Sequence, residues 1–205
     1  MIEAPSGSHS VHFYEPNLFP AKHIADFLRK GISEDEGIVV LAPKDHTTQI
    51  ERDIESLGLH VRSLRSAGLW SVVNTDTLLR ALLSGISVER LIANAIEPTF
   101  QMTREKSPTG KIRIYGEFVD VVLKLGMPDA CLELERYARQ VSSENAAHIY
   151  CGYSADSFPE AGHAKQFTKV CLLHNLIHTN LNDHNDWRYR MALGISKAGC
   201  DPKES

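Results

Sequence analysis

Apolar residues along this chain fall into two rhythms. Short continuous runs, as in HSVHFYE (9–15) and GIVVLAP (37–43), alternate with stretches where apolar positions recur every three or four residues. The runs read as strands buried on both faces, and the recurring positions as amphipathic helices. In AKHIADFLRKG, Ile24, Phe27 and Leu28 share a helical face and Gly31 is a C-cap. In DHTTQIERDIESLG, Ile50, Ile54 and Leu57 form the buried stripe and Gly58 is the stop. Further helices are predicted over 75–84, over 87–104 with an interruption near Pro98, from Glu117 to Gly126, over 128–143 and over 163–178. Strands are predicted near 9–14, 37–42, 59–64, 111–115 and 147–152, and DWRYRMALGIS as a short terminal helix.

Strands that alternate with helices predict βαβ units with right-handed crossovers. The expected fold is therefore α/β, a three-layer sandwich on a mainly parallel central sheet. Residues 1–8 read as a flexible lead-in, 9–180 as the one folded domain, and 181–205 as a polar tail, disordered at its end.

Composition narrows this little. With 205 residues, 42% apolar and 23% charged, the chain can bury a core without disulfides or metal. A net charge of −4 argues against binding nucleic acid through a broad basic face. Cys131, Cys151, Cys171 and Cys200 form no CxxC pair, so the spacing of a structural zinc site is missing. No signal peptide or membrane-length apolar stretch is apparent. The expectation is a cytoplasmic protein with reduced thiols, no cofactor, no metal and no membrane contact.

In an open parallel sheet, ligands bind beyond the carboxyl ends of the strands. The residues there are Tyr14 and Glu15, Asp45 and His46, Gly116 and Glu117, and Gly152, Tyr153 and Ser154. A phosphate cradle would need a glycine-rich loop after the first strand. EPNLFPAKH offers two prolines and no glycine, so there is no P-loop. Glu117 is the leading single candidate, either as a carboxylate aimed into the cleft or as a helix N-terminal acid. His174 and His178 stand at i, i+4, but no HExxH motif surrounds them, and they are not read as a zinc site. Cys151 reads as a small buried hydrophobe.

Four stretches together resemble a known family: HSVHFYE, GIVVLAPKDH, RIYGEFVDVVLKLGMPDACLELERYARQV, and YCGYSADSF followed by VCLLHNLI. They are similar, over roughly 9–179, to the MEDS domain, a sensory domain named for methanogen and methylotroph proteins and the dichloromethane-responsive repressor. The resemblance implies a derived RecA/KaiC-type fold in which Glu117 stands where a Walker B acid would. Residue by residue, His9, Phe13 and Tyr14 match the opening motif, and His46 a histidine after the second strand. Arg113, Gly116 and Glu117 match the central motif, Glu135 an acid on the next helix, and Cys151, Tyr153 and His174 the closing motif. The chain departs from the pattern at EDEG before the second strand and at YARQV.

The resemblance implies a freestanding signal-transduction module without turnover. Its partner would be a histidine kinase or a transcription regulator, and homodimer formation is open. The ligand-binding candidates are His9, Tyr14, Glu15, His46, Arg113, Glu117, Tyr153 and His174. Two alternatives stay open: an NTPase or hydrolase using Glu117 as general base with His9 or His46 in support, and an adaptor with no ligand.

Overall fold

The apolar runs pair side by side in one sheet. The structure, a computed structural model, describes residues 7–145, 147–181 and 186–198. The expected lead-in up to residue 6, the final residues from 199, and Cys200 with them, lie outside the described residues.

The strands are β1 (His9–Tyr14), β2 (Gly37–Leu41), β3 (Trp70–Val72), β4 (Ile112–Gly116), β5 (His148–Ser154) and β6 (Leu176–Thr179). They lie in the order β3-β2-β4-β5-β1-β6, and every pairing is parallel. Parallel strands need crossovers, and helices fill them. On one face lie α1 (Ala21–Ser33), α2 (Lys44–Ser56) and α3 (Val61–Ser66). Ile24, Leu28, Ile50, Ile54 and Val61 from these helices pack on Ile38, Val40, Tyr115 and Tyr150 of the sheet. The other face carries α4 (Thr75–Leu83), α5 (Val88–Leu91), α6 (Glu97–Lys106), α7 (Phe118–Lys124), α8 (Pro128–Asn145), α9 (Ala164–Leu172) and α10 (Trp187–Ala198). Their apolar positions cover Val11, Phe13, Val39, Ile114, Ile149 and Tyr153. The result is the three-layer α/β sandwich read from the sequence.

α1 runs past the expected cap at Gly31 to Ser33, and two predicted elements change type. The strand predicted at 59–64 is α3, and the edge strand comes later, at Trp70–Val72. In LHVRSL the apolar positions 61 and 64 are also one helical turn apart, and the helix buries Val61 against α1 and α2. Gly68 then turns the chain at φ +75°, a conformation that favours glycine, and delivers Trp70 beside Ile38. The helix predicted over 163–178 stops at Leu172. Leu176 to Thr179 instead form β6 on the free edge of β1, where Asn175 N–H donates to His9 and Asn180 N–H to Phe13. An open strand edge wins over helical periodicity because it satisfies backbone groups that would otherwise lie unpaired.

Around Pro98 the helix continues. A π-helical turn, Ile92–Ile96, joins α5 to α6. Proline lacks an N–H and its ring crowds the carbonyl of Asn94, and the wider turn removes both conflicts.

β1 is buried throughout, although it contains His9, Ser10 and His12. Buried polar side chains are the informative exception to the hydrophobic rule. At Gly152, beside β1, a methyl group would collide with the Tyr115 hydroxyl. Gly152→Ala should therefore lower unfolding free energy by about 1–3 kcal/mol, read from the denaturant midpoint at unchanged slope.

Candidate functional site

Loops leave the neighbouring strands β2 and β4 on opposite faces of the sheet. After β2 the chain turns to α2 on the first face, and after the adjacent β4 it turns to α7 on the second. Such a switch point opens a crevice at the carboxyl ends of the strands. Glu117 lies there, one residue beyond β4, with only 2% of its surface exposed.

A buried carboxylate needs donors, and two converge on Glu117. The Tyr14 hydroxyl, from the end of β1, donates to Oε1. His46 Nδ1, from α2, lies 2.9 Å from Oε1 and 2.8 Å from Oε2. The His46 ring stacks on Phe19, with centroids 3.7 Å apart and planes at 10°, and its side chain is 28% exposed. His46 and Phe19 thus form a plate between Glu117 and solvent. Burial, followed by the Glu117 charge, pushes the Tyr14 hydroxyl far above its usual range, so Tyr14 stays a donor.

A second carboxylate, Asp120, stands one helical turn on. Its Oδ1 accepts from the Ser154 N–H at 3.2 Å and from the Ser157 hydroxyl, and its Oδ2 pairs with Lys124 Nζ at 3.1 Å. Burial pushes Asp120 up to about 6 against the opposing charge of Lys124.

An apolar cavity of about 50 Å³ lies on the α8 side of this crevice. Leu41 and Gly116, the last residues of β2 and β4, line it together with Ile96 of the π-helical turn, Phe100, Phe118, Tyr137 and Cys151. A Cβ built on Gly116 meets nothing within 4 Å. The glycine of the Arg-x-Tyr-Gly-Glu element thus leaves open space immediately before Glu117.

Cys151 belongs to a second cluster, buried between the sheet and helices α8 and α9. Glu135 of α8 is fully enclosed. Its Oε2 lies 3.1 Å from His9 Nε2, 3.2 Å from His174 Nε2 and 3.6 Å from Cys151 Sγ. Its Oε1 accepts from the Tyr153 hydroxyl at 2.5 Å, and that hydroxyl also lies 3.2 Å from Cys131 Sγ. The His9 and His174 rings are 3.9 Å apart. Burial works against the Glu135 charge, but His174 and His9 outweigh it and hold the carboxyl well below its usual range. Burial, with His174 beside it, pushes His9 down. Burial and the Glu135 charge push the Cys151 thiol well up.

The eight sequence candidates therefore do not form one site. Tyr14, His46 and Glu117 meet at the crevice. His9, Tyr153 and His174 meet around Glu135, on the α8 and α9 face. Arg113 joins neither, because it lies at the amino ends of the strands. There it donates to Glu36 at 2.7 Å, to Glu34 at 2.8 Å and to the Phe27 carbonyl at 3.2 Å. Glu15 follows Tyr14, half-buried, and its charge reaches Arg188 of α10. His174 and His178 both lie beyond the end of α9, and His178 sits on β6 beside Tyr150 and His12 on the opposite face.

The structure adds residues that the strand-end argument did not single out. Asp120 hides in the apolar pattern of α7, and Phe19 in the proline-rich loop. His12 shares Tyr150, at 2.7 Å, and Asn180, at 3.2 Å, and burial pushes it down to about 4. The alternation of β1, which puts His9 and His12 on opposite faces, was the available signal for His12.

These features define a three-layer α/β domain with a buried carboxylate between the ends of β2 and β4 and a small cavity beside it. The family model of MEDS, the methanogen/methylotroph, DcmR sensory domain, matches residues 8–175, and the chain belongs to this family of sensory domains. A comparison with curated proteins gives no match. Among the described residues no helix is long and apolar enough to cross a membrane.

Asp120 sets a pH dependence. Its folded pKa, about 6, exceeds the ordinary 3.8, so its contribution is fully present below the ordinary value and is lost as pH rises through 6. Asp120→Asn keeps an acceptor for Ser154 and Ser157 and does not ionise. Relative to wild type, this variant should gain up to about 3 kcal/mol of stability between pH 4 and pH 7, read by denaturation at each pH.

Proposed function

We propose that this sensory domain works as a signal-input module that takes a small, largely apolar molecule into the cavity at the carboxyl ends of β2 and β4. It passes the occupied state to a regulatory partner, a histidine kinase or a transcription regulator. The carrying observation is the apolar cavity of about 50 Å³, open at Gly116 and adjoining the residue that bears the buried Glu117. One water needs about 10–15 Å³ on this measure, so the space suits a guest of roughly three or four non-hydrogen atoms.

The surroundings support transmission. Gly116 touches the guest space, Glu117 follows it in the chain, and Tyr14 and His46 hold Glu117. A guest that displaces this stretch moves the partly exposed His46–Phe19 plate, which a partner can read. The π-helical turn carrying Ile96 gives the cavity a compliant wall, in keeping with the placement of such turns at functional sites. Descent from a RecA/KaiC-type fold belongs to the same reading. It is supported by the all-parallel sheet, by Glu117 at the end of β4, and by a loop after β1 with two prolines and no glycine. The hydrolytic alternative finds less support, because Glu117 is enclosed and already engaged by Tyr14 and His46.

Thermal unfolding of the full chain with xenon and with one- to three-carbon alcohols and haloalkanes tests the proposal. A guest at 100 times its Kd should stabilise by about 2.7 kcal/mol. Gly116→Val, whose methyl groups fill the space, should keep a similar unliganded midpoint and lose the response. No saturable stabilisation in wild type, or an equal response in the variant, overturns the proposal.

A further inference from the structure

The four side chains around Glu135 do more than pair with one another. His9 Nδ1 lies 3.0 Å from the Leu173 carbonyl, and His174 Nδ1 lies 2.7 Å from the Val170 carbonyl. A carbonyl oxygen only accepts, so each Nδ1 carries the proton. Each ring then turns its Nε2 inward, the nitrogen left to act as a metal ligand when Nδ1 is held by a carbonyl. Both Nε2 atoms face Glu135 Oε2, at 3.1 and 3.2 Å. His174 Nε2 makes no hydrogen bond, although its side chain is fully buried. Two ring nitrogens, a carboxylate oxygen and a thiol therefore converge on one point inside the protein, with all four ligand atoms within 4.8 Å of one another.

The geometry points to a buried divalent metal site of the zinc class, with His9 Nε2, His174 Nε2, Cys151 Sγ and Glu135 Oε2 as its four ligands. Tetrahedral Zn²⁺ with bonds of about 2.0–2.3 Å places its ligands roughly 3.3–3.7 Å apart. Four of the six pairs here stand at 3.1, 3.2, 3.4 and 3.6 Å, and all six lie within 4.8 Å. Supporting hydrogen bonds are in place for three of the four. The two Nδ1 groups are anchored on backbone carbonyls, and the Tyr153 hydroxyl occupies Glu135 Oε1, leaving Oε2 for the metal. Charge balances as well. One dication, one thiolate and one carboxylate sum to zero, which suits a site without solvent. Binding releases the Cys151 thiol proton to water. Two imidazoles and a sulfur exclude Mg²⁺ and Ca²⁺, which require oxygen ligands. Four protein ligands leave no open position, so the metal ties β1, β5, α8 and the end of α9 together instead of activating water.

The site is closed, so the ion should enter during folding. The full chain is unfolded in denaturant with chelator and refolded with Co²⁺, Zn²⁺, Mg²⁺ or no metal. The expected result is one Co²⁺ or Zn²⁺ per chain, no uptake of Mg²⁺, and a cobalt–thiolate charge-transfer band that disappears in Cys151→Ser. Metal affinity should fall at least about tenfold in His174→Gln. A variant with Cys131, Cys171 and Cys200 all changed to alanine keeps Cys151 alone of the four cysteines and should keep the band. Folded wild type that takes up no stoichiometric Co²⁺ or Zn²⁺ overturns the inference. So does a band that survives in Cys151→Ser or is lost from the folded triple variant.

Discussion

The interior of this protein is organised by one charge that has to be neutralised. Glu135 is fully enclosed, and an isolated carboxylate in such surroundings costs far more than a domain can spare. His9 comes from β1, Tyr153 and Cys151 from β5, and His174 from the turn that ends α9. Their convergence on an α8 carboxylate fixes how α8 and α9 sit on the sheet. Removing one partner from such a group typically costs about 3–5 kcal/mol, because the remaining charge stays buried. The same convergence explains why α9 stops at Leu172. His174 and Leu173 are needed at the cluster, and the chain beyond them is free to pair as β6 along β1.

Glu117 repeats the constraint at the crevice, with a different outcome. It too is buried and held by a tyrosine and a histidine, but its histidine is partly exposed and backed by Phe19. One carboxylate is sealed and the other sits one side chain from solvent. Between them lies the apolar cavity, with Gly116 at one side and Cys151 at another. A molecule in that cavity touches the residue before Glu117 and a member of the Glu135 cluster at once. On the proposed reading, a guest there would reach both carboxylates, since packed interiors transmit small displacements as shifts of whole elements.

Much of this was legible in the residues. The apolar runs announced β1, β2, β4 and β5, because a strand buried on both faces has no polar side to show. The helices α1, α2, α7 and α8 followed from three-four spacing. Tyr14, His46 and Glu117 were placed together because parallel strands put their carboxyl ends on one edge. LHVRSL and the stretch from Leu173 to His178 misled, since short apolar segments fit either period. Arg113 was grouped with the strand-end residues by its motif, yet it begins its strand and serves the Glu34–Glu36 pair at the other end of the sheet.

The sequence by itself determined the class of fold, the strand-end edge at which Tyr14, His46 and Glu117 meet, and the membership signalled by its motifs. These follow from periodicity and chain direction, which are local properties. Only the tertiary structure decided that His9, Glu135, Cys151 and His174 share one point. The four are separated by up to 165 residues, and nothing local encodes the strand order that brings β1 beside β5 and β6. Only the folded sheet shows that Gly116 is a glycine because the space before Glu117 is left empty. That space belongs to helices packed from the far side of the sheet, and no spacing along the chain contains it.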